Sequence, residues 1–206
     1  MGQDPVAICK AANAAAKERY AEKDVAGMMV VAEAGFARAL ADAAAHPDLA
    51  IELKRAAKVL TYNAAANCWP GWDDPGIEIS AETLAHGLVL AERSRALVAE
   101  LGLDAREAAT ANWLVGALQM AGGRHAEAVA AFAEARAAFE ANGASTSVLM
   151  TEGYRALARK LASPEDPAAA AEFEECCARL AATDSKEATF FRQQLLTADR
   201  IFAAPS

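Results

Sequence analysis

Signals that start and stop helices recur along this chain about every twenty residues, and little between them favours any other backbone. Asp4-Pro5, Asp24, Ser80, Asp104 with Glu107, Asp166-Pro167 and Asp184 with Glu187 each place an oxygen acceptor where a helix opens with unsatisfied N–H groups. Gly102, Gly122-Gly123 and Asn142-Gly143 stand where helices end, and Pro47 and Ser163-Pro-Glu-Asp-Pro167 break the pattern again. Period-2 alternation does not recur, so no strand is predicted. The reading is all-α, with about nine helices and one long break at residues 69–80, where two prolines and two glycines exclude a helix.

Alanine supplies roughly a quarter of the chain, far above ordinary usage. Its high helix propensity and small volume suit helices whose axes approach closely. At 206 residues and 54% hydrophobic, the chain can bury one substantial core, which points to a single domain or one compact array. Short turns between helices imply antiparallel neighbours, and so a bundle or a stack of helical hairpins.

The formal charge of −8 and the pI near 5.0 argue against nucleic acid as partner, because phosphate binding needs clustered Lys and Arg. No basic amphipathic stretch suits an anionic membrane surface, and no apolar run approaches the ~20 residues that cross a bilayer. The opening Met-Gly-Gln-Asp-Pro lacks the basic and apolar segments of a secretory signal, so a soluble, cytoplasmic protein is expected. Cys9, Cys68, Cys176 and Cys177 are spaced neither as a disulfide framework nor as a zinc knuckle, and reduced, buried thiols are the expectation.

Helices five and six carry a repeat pattern. Val115-Gly116 is followed by Gly123 at a turn and then by Ala128, Phe132 and Ala135 in an A-x₃-F-x₂-A register. Gly116 and Ala128 are small where two helices must touch, and Phe132 is large where it fills the space above them. This resembles the tetratricopeptide repeat, a 34-residue helix-turn-helix, most clearly over residues 81–142; Gln119 and Glu140 depart from its usual tyrosine and proline. Thr61-Tyr62-Asn63 in helix three, and Ala12-Asn13 with Tyr20 and Lys23-Asp24 in helix one, resemble it more loosely. The resemblance implies a TPR-like solenoid with hairpins near 5–46, 47–101, 104–142 and 147–182 and a capping helix near 185–203.

Such a solenoid would bind a protein or peptide along a concave face lined by its first helices. Lys17, Tyr20, Tyr62, Asn63, Trp69, Trp113 and Met120 would look toward that face, with Trp72 beside it in the loop. Ordinary core packing is the alternative for Tyr62 and Trp113. Lys17 and Asn63 match residue types of the family's carboxylate clamp, but uncharged Trp113 and Ala117 stand where further clamp cations would be. Trp69 and Trp72 make the 69–80 loop either a plug on the helices or a cover that closes over a small ligand, the latter implying a sensor. The apolar last helix, with Phe190, Phe191 and Leu195, reads as an end cap or a homodimer face.

No nucleophile elbow, H-E-x-x-H, phosphate-binding loop or dinucleotide fingerprint occurs. Glu82 and His86 share a helix face without a third ligand, and Asp73, Asp74 and Glu78 lack the order of a calcium loop. Hence no catalytic residue, metal or cofactor is expected, and an enzyme built on an unfamiliar site ranks last.

Overall fold

The computed structural model describes residues 4–203, and these are all-helical, with nine α-helices and no strand. The helices are α1 (Pro5–Ala21), α2 (Val25–Ala45), α3 (Ala50–Ala66), α4 (Ala81–Glu100), α5 (Ala105–Ala121), α6 (His125–Ala141), α7 (Ser145–Ala162), α8 (Pro167–Ala182) and α9 (Lys186–Phe202). Among the described residues no helix is long and apolar enough to cross a membrane. Residues 69–80 contain one short 3₁₀ turn, Pro70–Trp72, and are otherwise non-helical.

The helices begin where the caps lie. Asp4, Asp24, Ser80, Asp104 and Asp166 each accept a backbone N–H of the first helical turn with the side chain. At α9 the cap is one position later than expected, because Ser185, not Asp184, accepts from the Ala188 N–H. Helix α3 opens at Ala50 without a side-chain cap, and α7 opens at Ser145, two residues before the expected start.

Four helix ends share one geometry. After α1, α4, α5 and α6 the chain passes through a left-handed residue, respectively Lys23, Gly102, Gly123 and Gly143. Each time the next N–H reaches back to the helix, as in Asp24 N–H to Arg19 O and Arg124 N–H to Gln119 O. Those bonds satisfy carbonyls that a terminating helix would otherwise leave open. Three of these connections, residues 22–24, 122–124 and 142–144, are three residues long with the left-handed residue in the middle.

The chain divides into two compact units, one of residues 1–69 with 76–103 and the other of 70–75 with 104–206. The division falls at the Pro/Gly loop and the Gly102 stop. In the first unit, α2 packs on both α1 and α3, α1 packs on α3, and α4 packs on α3. Gly35 of α2 marks the crossing, since a Cβ there would lie 2.8 Å from both Ala12 of α1 and Leu60 of α3. Its core includes Cys9, Met28, Ala32, Leu53, Leu60, Ala65 and Leu90.

In the second unit, α6 packs on α5 and α7, α8 packs on α7 and α9, and α7 packs on α9. Two glycines set the close approaches. A Cβ on Gly116 of α5 would lie 2.9 Å from the Phe132 ring of α6, and one on Gly153 of α7 would lie 2.6 Å from Leu195 of α9. Lys160 of α7 also holds Asp199 of α9 at 2.8 Å. Because 153 meets 195 and 160 meets 199, α7 and α9 run parallel.

Candidate partner-binding faces

Helices α1 and α3 of the first unit are parallel neighbours, joined by a hydrogen bond in which Asn63 Nδ2 donates to Asn13 Oδ1 at 3.0 Å. Helical spacing carries the same face along α1 through Val6, Lys10, Asn13, Lys17 and Tyr20. Between the two helices lies a cleft of about 350 Å³ lined by Val6, Lys10 and Asn13 of α1 and Glu52, Arg55, Ala56 and Val59 of α3. Lys17 is exposed, and Tyr20, Tyr62 and Asn63 are half-buried. The Lys58 ammonium stands 5.4 Å from the centroid of the Tyr62 ring, which holds that aromatic against its own helix.

Lys10, Arg55 and Val59 were not singled out in the sequence, and Asn13 entered only through the loose repeat resemblance of helix one. The available signal was the Lys10, Asn13, Lys17, Tyr20 stripe at intervals of three and four residues. Without knowing that α1 lies beside α3, that stripe reads as a solvated helix face.

Trp69, Trp113 and Met120 are buried inside the protein, with 1%, 6% and 2% of their surfaces exposed. The same holds for Ala117. These side chains are core as the chain stands, since Trp113 sits edge-on to Tyr154 at 5.6 Å and Tyr154 stacks on Phe132 at 5.5 Å. Burial also pushes the Tyr154 phenol well above its usual range. The structure therefore does not gather all the sequence-predicted residues on open surface; of the less buried ones, Asn63 is joined to α1 through Asn13, while Tyr62 lies against Lys58 of its own helix.

Trp72 is half-buried and meets Trp113 at 6.3 Å, which extends the aromatic column of the second unit outward. Beside it Asp73, itself left-handed, pairs with Arg200 of α9. Residues 70–75 are thus seated on the second unit as a plug. On α9, Leu195 and Ala198 are fully buried while Phe190 remains 54% exposed.

A second cleft, of about 340 Å³, lies among α6, α7 and α8. Its cations are engaged: Arg136 bonds Glu152 at 2.7 Å and Glu140 at 3.1 Å, and Arg179 stands 3.8 Å from Glu152. The four cysteines are free and buried. Burial pushes the Cys68 thiol up to about 12 and Cys176 up to about 11, with Glu152 adding to the latter, and it raises Cys9 and Cys177 as well. Among the described residues no group of three or more His, Cys, Asp or Glu side chains gathers as metal ligands would.

Compared with protein-family models, with curated proteins and with solved structures, the chain matches none of them.

Proposed function

We propose that this chain is a non-catalytic binding scaffold of TPR-like helical hairpins, and that the α1–α3 face of its first unit receives a peptide or protein segment. The carrying observation is the cleft between two parallel helices, whose charged and amide side chains do not serve the core. A groove with an apolar floor and donors along its walls can bury the side chains of a segment while hydrogen-bonding its backbone.

The hairpin reading draws support from local geometry. Three connections share one length and one left-handed middle residue, each helix packs on its sequence neighbour within its own unit, and α1–α3 and α7–α9 are parallel pairs. Gly116 against Phe132 supplies the small-to-large contact that the repeat pattern implies.

The test is a random peptide library displayed on phage and selected against the full chain, followed by affinity measurement on wild type and a variant with an unchanged melting curve that carries Val59→Asp, at an exposed residue lining the cleft. Peptides that bind wild type should bind the variant several-fold more weakly. Equal affinity would remove the α1–α3 face as the site.

A further inference from the structure

Resting on the reading of this face as peptide-binding, we propose that the α1–α3 cleft selects an acidic segment, whose Asp or Glu carboxylates lie between Lys10 and Arg55 and whose apolar side chains rest on Val59.

Charge is the first argument. The whole chain carries −8, yet this cleft holds Lys10 and Arg55 against the single carboxylate of Glu52. Four other cations of the same unit are paired: Arg19 with Asp24, Arg38 with Asp42, Lys54 with Glu100 and Arg93 with Glu33. Lys10, Arg55 and the nearby Lys17 are exposed and make no ion pair among the described residues. A chain rich in carboxylates leaves these three cations available on one face.

The shape supplies the second argument. Lys10 stands on one wall and Arg55 on the other, so a carboxylate in the cleft is reached from both sides, with the planar guanidinium able to bond it through two N–H groups. Asn13 uses its Oδ1 to accept from Asn63, which leaves its Nδ2 as the donor for a peptide carbonyl. Val59, 45% exposed, forms an apolar shelf with Ala56 and Val6.

A long polyanion fits this surface poorly, because its charge would extend over the acidic remainder of the chain. A short acidic segment experiences mainly the local cations, since fields between exposed charges fade over about 8 Å at physiological ionic strength.

The library selection, run on the full chain, tests the occupant. The pool retained by wild type should be enriched in Asp and Glu, and retained peptides should lose affinity with added salt. In fluorescence anisotropy they should bind a Lys10→Gln, Arg55→Gln variant about tenfold more weakly, the loss expected from removing two charge-assisted contacts at an exposed site. Arg106→Gln, an exposed cation on α5, should leave the affinity unchanged. A pool without acidic enrichment, or equal binding to the double variant, overturns the acidic occupant while the peptide-binding reading stands. A selection that retains no peptide overturns both.

Discussion

Replacing Gly116 by alanine sets two opposed effects against each other, and the structure decides between them. In an exposed helix the change would stabilise by about 1 kcal/mol, because alanine restricts the unfolded chain and favours the helix. At this position the new methyl would lie 2.9 Å from Cδ1 and Cε1 of Phe132 and 3.2 Å from Cζ. Carbon atoms prefer about 3.5–4.0 Å, so the ring or the α5–α6 distance must give by more than half an ångström. Phe132 has nowhere to retreat: it is fully buried and stacked on Tyr154, which is itself fully buried beside Trp113. Overpacking of such a core costs about 1–3 kcal/mol, which outweighs the helix gain and leaves a net loss of about 1 kcal/mol. For a chain of this size that is about 2–4 °C in Tm. Thermal denaturation followed by circular dichroism measures it, and Phe132→Leu serves as the second arm of a double-mutant cycle. The smaller residue should cost less in the Gly116→Ala background than in wild type, by about 0.5–1 kcal/mol of coupling. A Gly116→Ala protein at least as stable as wild type, or additive losses, would refute the claim that this contact sets the α5–α6 approach.

Four further outcomes rest on single side chains. Lys23 holds a left-handed conformation that glycine holds after α4, α5 and α6, so Lys23→Gly should stabilise by about 0.5–1 kcal/mol in chemical denaturation. The Asn63 to Asn13 bond needs one donor and one acceptor: Asn13→Asp keeps an acceptor and should be tolerated, whereas Asn63→Ala removes the partner and should cost about 1 kcal/mol in the same assay. Disulfide-exchange labelling at pH 8 should be slow in the native protein and release four thiols on unfolding, since burial keeps Cys68 and Cys176 protonated with values near 12 and 11. The same upward shift means the folded Cys68 keeps a proton that the unfolded chain loses above about 9, so its contribution to stability is present below that pH and declines toward 12; Cys68→Ala should flatten that part of the Tm profile against pH.

The helices were legible because their information is local. A cap oxygen, a left-handed glycine or a proline acts within one turn of its position, and Asp24, Ser80, Asp104 and Gly123 do this whatever the rest of the chain does. Gly116 and Phe132 were also legible, as a small residue and a large one at repeat spacing. Exposure was not. Trp113 and Met120 sit on a helix of which almost every residue from Ala111 to Met120 is buried, so no amphipathic stripe distinguished core from surface. Lys10 and Arg55 lie 45 positions apart in the sequence, and only the packing of α1 on α3 brings them to one cleft. The sequence alone determined that this chain is helical and where its helices turn, since backbone hydrogen bonding and capping are settled among near neighbours. Which aromatic residues became core, and which cations came to share a face, depended on contacts between distant segments and was decided only by the tertiary structure.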